Sequence, residues 1–313
     1  MPRSPIGVTI PIAAAPPSPQ PARIERSPCA HRVRGVGWAF RAKPADSGTV
    51  LEVPGPRTLV RRSPLYAVFR RSPLYRPYVN RIYRRSPQYR PYVNRKYRTR
   101  SEAREALFTG FYRDNVWKDS ESRSGGGSNV NVTEGLRAEL PALLHDLGTT
   151  TLLDVPCGDF CWMSTLDLGD INYVGADIVS EMIAELQREY GTLQRRFVRL
   201  DAICEPLPAA DTVLMRDLLQ HLPNALVLAT LRNIAQAPSV RWLLVSNYET
   251  VTKNPDIMMG QHRFQNLQLP PFGLPAPERV VSERSPQRAD KVLAVWPREA
   301  LLRVRKLSQT QSP

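Results

Sequence analysis

Residues 152–162 read Leu152-Leu153-Asp154-Val155-Pro156-Cys157-Gly158-Asp159-Phe160-Cys161-Trp162, and this stretch decides the fold. Residues 151–155 are a short β-branched and leucine run that stops at Pro156 and Gly158, which predicts a buried strand entering a tight turn. The apolar residues 160–163 predict that a helix follows the turn. A strand, a glycine turn and a helix form the start of an open α/β sheet, where ligands bind at the carboxyl ends of the strands.

The predicted turn is acidic, and this property separates two classes of ligand. The N-terminus of a helix normally attracts a pyrophosphate through its free N–H groups and its partial positive charge. Asp154 and Asp159 would repel that group, whereas a ligand with a sulfonium and an ammonium group would be stabilised by them. The dinucleotide fingerprint G-x-G-x-x-G is also absent. The turn therefore disfavours a nicotinamide dehydrogenase.

The segment from Asp154 to Trp162 resembles the first motif, D-x-P-C-G-D-F-x-W, of a group of class I S-adenosylmethionine-dependent methyltransferases. It has Pro156 and Phe160 where the wider superfamily usually has glycine. The resemblance implies a Rossmann-like three-layer α/β sandwich with a mostly parallel seven-stranded sheet and a terminal antiparallel strand. It implies S-adenosylmethionine as the cofactor. The cofactor-binding residues that it implies in this segment are Asp154, Pro156, Cys157, Gly158, Asp159, Phe160 and Trp162.

A further carboxylate follows the next predicted strand, which covers residues 171–178. Asp177 lies 23 positions after Asp154, and a carboxylate about 20 residues past the turn is where the two hydroxyls of a nucleotide ribose are held. Alternatively, Asp177 only helps to start the helix predicted over residues 180–190. Because Ser180 is a suitable cap for that helix, we favour ribose binding by Asp177, with Ile178 beside it in the cofactor site.

Two more strand ends complete the predicted site. Residues 197–200 predict a third strand, and the resemblance implies that Asp201 reads the adenine amino group with Ala202 beside the ring; an ordinary loop role for Asp201 is the alternative. Residues 212–215 predict a fourth strand, which enters an R-D-x-L-x-H-L segment. There the resemblance implies that Arg216 contacts the cofactor, and that Asp217 and His221 are the catalytic candidates. On spacing alone, His221 fits a packing or capping residue better.

The remaining segments surround this site. Residues 121–128 contain three consecutive glycines and predict either a linker or a loop that approaches a ligand closely; the resemblance implies that they fold over the cofactor. Residues 242–246 predict a fifth strand, and residues 280–283 and 292–296 predict a terminal antiparallel pair. The irregular residues 254–277 are long for a connection, and segments of this kind often shape a substrate site.

The positive charge of the chain lies in its first third. Of 43 Lys+Arg and 29 Asp+Glu, residues 1–100 hold 21 and 3, so the pI near 10.0 describes an arm. Residues 71–84 (RSPLYRPYVNRIYR) recur as residues 85–98 (RSPQYRPYVNRKYR). We predict a disordered basic Pro/Arg-rich arm with 14-residue repeats over residues 1–100, a methyltransferase domain over 101–305 and a disordered tail over 306–313.

The arm has several interpretations. Its arginines and tyrosines would suit nucleic-acid binding, but a solvated low-complexity tail, or sequence translated upstream of the true start, fits its composition better. An Arg-rich, acid-poor arm is also compatible with organelle targeting. Otherwise we predict a cytoplasmic protein with reduced thiols, because the four cysteines show no paired metal-ligand spacing. No apolar run approaches the roughly 18 residues that predict a membrane span.

Together these features predict an S-adenosylmethionine-dependent methyltransferase that needs no metal and acts on an acceptor that the sequence does not identify. The alternative is a non-catalytic cofactor-binding module whose basic arm binds RNA. The sequence also leaves the oligomeric state open.

Overall fold

The computed structural model describes residues 89–283 and 289–309, with side chains for residues 94–283 and 289–304. The predictions for residues 1–88, including the nucleic-acid and targeting interpretations of the arm, lie outside the described residues. So do residues 310–313 of the predicted tail. In the part of the chain that is described, no helix combines the length and apolar character needed to cross a bilayer.

Helices and strands alternate through most of the described chain. The helices are α1 (Tyr89–Thr99), α2 (Ser101–Arg113), α3 (Glu134–Asp146), α4 (Ser180–Tyr190), α5 (Asn224–Gln236) and α6 (Arg298–Gln309). The strands are β1 (Thr151–Asp154), β2 (Asn172–Asp177), β3 (Arg195–Arg199), β4 (Thr212–Met215), β5 (Trp242–Tyr248), β6 (Arg279–Ser282) and β7 (Lys291–Pro297).

The seven strands form one sheet in the order β3-β2-β1-β4-β5-β7-β6. The first five strands pair in parallel, whereas β7 runs antiparallel to both β5 and β6. The strand order reverses between β1 and β4, so a crevice opens at their carboxyl ends, which is where open α/β sheets bind ligands. The predicted Rossmann-like fold with an antiparallel terminal strand is confirmed.

Two apolar layers enclose the sheet because successive side chains of each strand point to opposite faces. Leu153 packs with helix α5 residues such as Leu231 on one face. Leu152 packs with helix α3 residues such as Leu140 on the other face. These four leucines are fully buried, so both layers exclude water, and the β strands read as continuous hydrophobic runs.

The helix predicted after the turn is wrong, and two helices extend beyond the predicted limits of the domain. The turn after β1 leads only into a single 3-10 turn, Met163–Thr165, and not into a helix. Helix α1 lies in the last part of the predicted disordered arm, and Asn94 fixes it by donating to Ile257 O (3.1 Å) and accepting from Met259 N–H (3.3 Å). Helix α6 continues through residues 306–309 of the predicted disordered tail. The half-buried Tyr97 of α1 also packs against the core of the domain, and the local composition does not reveal these contacts.

Candidate active site

Residues 154–159, which we call the acidic turn, connect β1 to the crevice. The backbone folds back on β2 here, because Cys157 N–H donates to Ala176 O at 2.9 Å. Gly158 adopts a left-handed φ of +55°. A Cβ at this position would overlap Ser124 Oγ and lie 3.0 Å from Ser124 Cβ. Glycine is therefore needed both for the conformation and for the close approach of another chain segment.

Asp154 and Asp177 end two neighbouring strands and are both buried. Burial, which disfavours a charged carboxylate, raises the pKa of Asp154 to about 7 and that of Asp177 to about 6. Tyr173 Oη donates to Asp154 at 2.7 Å and opposes that shift without cancelling it. Without a bound cation, these two groups are therefore held close to protonation at neutral pH.

Asp177 also organises the backbone around it. Its carboxylate accepts the Val179 N–H at 3.0 Å and the Gly158 N–H at 3.3 Å. Ser180 is not the cap that its sequence position suggested, since it is already the first helical residue of α4 and its hydroxyl donates to Glu105. A carboxylate has about four acceptor positions, so Asp177 can hold the turn and still accept further hydrogen bonds from a ligand. Both interpretations of Asp177 from the sequence are thus compatible with its position.

Residues 122–128, the covering loop, pack over the acidic turn. Asp159 accepts hydrogen bonds from the Arg123 N–H at 2.7 Å and from the hydroxyls of Ser122 and Ser124 at 3.0 and 3.1 Å. At the other end, Arg216 Nη2 donates to Gly127 O at 2.8 Å. The glycine-rich segment is therefore fixed at both ends, and it is not a linker.

A cavity of about 380 Å³ lies between the acidic turn, the covering loop and the ends of β4 and β5. Nine of the predicted site residues line it, namely Asp154, Pro156, Cys157, Gly158, Trp162, Asp177, Arg216, Asp217 and His221. A second cavity of about 30 Å³ lies beside it and is lined by Ile178, Asp201 and Ala202. Phe108 and Leu218 border both cavities. The crevice therefore gathers most of the predicted residues from four separate strand ends.

Two predicted residues, Asp159 and Phe160, do not line either cavity. The carboxylate of Asp159 faces the covering loop. The ring of Phe160, at a φ of +61°, packs at 5.0–5.2 Å from the rings of Tyr173, Tyr190 and Phe197. Asp159 and Phe160 therefore help to shape the turn. A direct contact of either residue with the cofactor remains a prediction.

Asp201 lies beside the smaller cavity but is already well bonded. Arg104 Nε of helix α2 donates to its Oδ2 at 2.8 Å, Ser101 Oγ donates to the same oxygen at 2.6 Å, and the Ile203 N–H donates to Oδ1 at 3.1 Å. The side chains of Arg104 and Asp201 are both 1% exposed. A role in reading adenine is a prediction that would use the remaining acceptor position of Oδ1.

Two basic and two acidic side chains form a charge cluster: Arg216, Asp217, Glu283 and Lys291. Arg216, Asp217 and Lys291 line the larger cavity, and Glu283 is buried beside them. Lys291 Nζ lies 2.8 Å from both Asp217 Oδ2 and Glu283 Oε2. Arg216 Nη2 lies 2.7 Å from Glu283 Oε2, and its guanidinium stacks 5.4 Å from the centre of the Trp162 ring. The two cations hold the pKa of Asp217 well below its usual range although burial opposes the shift. Asp217 is therefore a poor proton acceptor.

His221 is the better-placed base of the two catalytic candidates. Its Nδ1 lies 3.2 Å from Gln261 O, and because a carbonyl only accepts, Nδ1 carries the proton and Nε2 offers a lone pair. Burial and the neighbouring His262 lower the pKa of His221 to about 4. The ring is thus neutral at pH 7 and lines the cavity.

Replacing Glu283 by Gln should destabilise the protein by about 2 kcal/mol. The change leaves Arg216 and Lys291 with one anion, Asp217, in a buried cluster, although the amide oxygen still accepts a hydrogen bond. Urea unfolding followed by circular dichroism measures the effect. Glu278→Gln, at an exposed glutamate just before β6, should change the free energy of unfolding by less than about 0.5 kcal/mol. Equal effects of the two changes would contradict the importance of the cluster.

The sequence did not indicate several residues of the charge cluster and of the cavity wall. Glu283 and Lys291 occupy the β6–β7 region, far along the chain from Arg216, and an ion pair of this kind leaves no local pattern. Trp117, His262 and Phe264 lie in irregular segments. The unusual length of residues 254–277 marked the segment of His262 and Phe264, and no sequence pattern marked Trp117 as a residue of the site. Among the cysteines, Cys157 and Cys161 are free thiols as predicted.

No protein-family model and no curated protein matches this sequence. Similar solved structures include magnesium protoporphyrin IX methyltransferase from Synechocystis PCC 6803 with bound S-adenosylmethionine, at 16% identity and a TM-score of 0.44, over 61% of this chain and 96% of that one. Another is 1,6-didemethyltoxoflavin-N1-methyltransferase from Burkholderia thailandensis, with 1,6-didemethyltoxoflavin and S-adenosylhomocysteine bound. It is 17% identical, with a TM-score of 0.43, over 62% of this chain and 86% of that one.

Proposed function

We propose that this protein is an S-adenosylmethionine-dependent methyltransferase. The observation that carries the proposal is the pair of buried carboxylates, Asp154 and Asp177, on the wall of the cavity at the strand-order reversal. Burial raises the pKa of each carboxyl group and so favours its neutral form. A ligand with a positive charge and hydroxyl donors stabilises the ionised form of both groups. A pyrophosphate would have the opposite effect.

The proposed roles follow the positions of the side chains. Asp154, Gly158 and Asp159 surround the methionine part of the cofactor, with Asp154 facing the ammonium group and Asp159 holding the covering loop above it. Asp177 accepts the ribose hydroxyls. Asp201 and Ala202, beside the smaller cavity, hold the adenine. That cavity must widen to admit a ring, and Phe108, shared by both cavities, lies between the two ends of the ligand.

S-adenosylmethionine supplies a methyl group on an electrophilic sulfonium. Transfer is an in-line displacement, so the protein contributes mainly by aligning the acceptor with the methyl carbon and the sulfur. The covering loop and Trp162 exclude water from that line. Where the acceptor must lose a proton, His221 Nε2 is placed to take it, which adds a smaller factor. Asp217, paired with Lys291, orients groups at the cavity floor and keeps its negative charge.

The direct test uses the full purified chain. Isothermal titration calorimetry should show binding of S-adenosylmethionine and S-adenosylhomocysteine but not of NAD. Incubation with a cell extract and methyl-labelled cofactor should transfer the label to an acceptor. Binding of NAD in preference to both, or absence of cofactor binding, would exclude this function. Cofactor binding without transfer to any fraction would favour the non-catalytic alternative.

Cofactor affinity should depend on pH. The pKa is raised to about 7 for Asp154 and to about 6 for Asp177. In the free protein, ionisation of these groups therefore lowers the stability of the fold as pH rises from about 4 through 7. A bound cation has the opposite preference, because it stabilises the ionised carboxylates. We therefore expect affinity for S-adenosylmethionine to be on the order of tenfold weaker at pH 5.5 than at pH 8. Calorimetry at both values measures this ratio. Asp154→Asn should flatten it; an unchanged ratio in that variant would contradict the assignment.

A further inference from the structure

Five rings form a continuous series along one side of the larger cavity, which we call the aromatic arc: Trp117, His221, His262, Phe264 and Tyr248. Successive ring centres lie 6.0, 5.4, 4.8 and 4.9 Å apart, with interplanar angles of 56–86°. These are the edge-to-face and tilted arrangements that aromatic rings prefer. All five side chains line the cavity.

The arc comes from elements that lie apart from the acidic turn. His221 follows β4, Tyr248 ends β5, and His262 and Phe264 belong to the irregular residues 254–277. Tyr248 Oη donates to Gln220 Oε1 at 2.9 Å, and the Tyr248 N–H donates to Gln265 O at 3.0 Å, so the strand end and the irregular segment are fixed to each other. The cavity therefore has an acidic end and an aromatic end.

The aromatic end carries large apolar surface that faces the cavity. Trp117 is 37% exposed and Phe264 is 36% exposed, whereas Tyr248 is buried. Isolated exposed aromatic residues are ordinary on a protein surface. These two rings belong to one series on one concave wall, which is the arrangement typical of a ligand site.

The electrostatics of this end favour an uncharged ligand. Burial lowers the pKa of both His221 and His262, so both imidazoles are neutral at pH 7. Two cations of the cavity wall, Lys291 and Arg216, are already paired with Asp217 and Glu283. The third cation of the wall, Arg123, stacks on Tyr112, and its N–H bonds Asp159 at the acidic end. Arg263, which lies between His262 and Phe264, does not line the cavity, and its buried guanidinium donates to Leu222 O at 2.7 Å and to Gln265 Oε1 at 3.3 Å. The cations that do line the cavity therefore offer an anionic acceptor no free charge at the arc.

We propose that the aromatic arc is the acceptor site and takes a neutral planar aromatic molecule with a hydroxyl at its edge. This inference rests on the proposed function. The ring of the acceptor packs against Phe264 and Trp117, and its hydroxyl donates to Nε2 of His221, whose orientation is fixed by Gln261 O.

The reaction balances with the groups named. A lone pair of the acceptor oxygen forms the new bond to the methyl carbon, while the bond from carbon to sulfur breaks and its electron pair stays on sulfur. The hydroxyl proton moves to His221 Nε2 and from there to water. The products are a methyl aryl ether and S-adenosylhomocysteine.

The test is a matched pair of probes titrated into the full chain saturated with S-adenosylhomocysteine. 2-Naphthol is flat, and decahydro-2-naphthol has the same carbon skeleton and hydroxyl without aromatic rings. We expect 2-naphthol to bind at least tenfold more tightly by calorimetry. Phe264→Leu, which keeps the apolar character and removes the ring, should weaken 2-naphthol about 2- to 10-fold and leave S-adenosylhomocysteine affinity unchanged.

The outcomes separate this inference from the proposed function. Equal affinity for the two probes, or no effect of Phe264→Leu on 2-naphthol while S-adenosylhomocysteine still binds, would overturn the aromatic acceptor site alone. A wild-type chain that does not bind S-adenosylhomocysteine would overturn the proposed function. A substitution at Leu193, which is fully exposed, is the control. Leu193→Ala should leave the affinities for 2-naphthol and for S-adenosylhomocysteine unchanged.

Discussion

Asp177→Ala should weaken S-adenosylmethionine binding roughly 100- to 10,000-fold. The expected loss is that of two hydrogen bonds from ribose hydroxyls to a buried carboxylate, and bonds to a charged group contribute about 1.5–3 kcal/mol each. Because Asp177 is 7% exposed, water cannot readily replace either bond. Calorimetric titration of the cofactor into the variant and the wild-type chain gives the ratio directly.

The control for Asp177 must separate ribose binding from support of the turn. Asp177→Asn retains one oxygen that can accept the Val179 N–H, and it should therefore unfold at nearly the wild-type temperature while still losing at least tenfold in cofactor affinity. If cofactor affinity is unchanged in both variants, the ribose assignment is wrong. If the affinity for the cofactor falls only in proportion to the unfolding temperature, Asp177 stabilises the turn and does not bind the ribose.

Gly158→Ala should reduce cofactor affinity at least 100-fold. The new Cβ would overlap the Ser124 hydroxyl, so the covering loop must move away from Asp159 and open the methionine end of the cavity. The backbone contributes less, since a left-handed φ costs a non-glycine residue only about 1 kcal/mol. The measurement is again calorimetric titration, together with the unfolding temperature of the free protein.

A substitution at Ser124 tests whether the overlap with its side chain causes the loss of affinity in Gly158→Ala. Ser124→Gly removes both the hydroxyl and the Cβ that Gly158→Ala would meet. In the double variant, cofactor affinity should recover about tenfold relative to Gly158→Ala. Ser124→Gly by itself should have a small effect, because Ser122 and the Arg123 N–H still bond Asp159. A double variant as weak as Gly158→Ala would place the effect in the backbone of the turn and not in the loop.

The sequence predicted the parts of the fold that depend on local pattern. Strand β4 and helix α4 have the predicted bounds, and the other strands differ from prediction by one or two residues at their ends. Buried parallel strands appear as short apolar runs, and the residues that follow them meet at one edge of the sheet. For this reason Asp154 and Asp177 could be placed near one another from spacing, whereas Asp217 was assigned to the site through the resemblance of its segment to the methyltransferase group.

The rest depends on contacts between distant segments. Helix α1 has the composition of a disordered arm, and what fixes Asn94 is the backbone of residues 257–259. The predicted helix after the acidic turn is replaced by one 3-10 turn, since Phe160 adopts a positive φ to place its ring in the core. The charge cluster and the aromatic arc each combine residues more than 60 positions apart, which no periodicity in one sequence reveals.

The fastening of the covering loop at both ends has a kinetic consequence. Asp159 accepts hydrogen bonds from residues 122–124 at one end of the loop, and Arg216 donates to Gly127 O at the other end. We expect a product bound beneath this loop to leave more slowly than it would from an open cleft, because both fastenings restrict the movement of the loop. Since Arg216 is itself anchored to Glu283, we expect the residence time of the product to depend also on this glutamate, which directly follows β6.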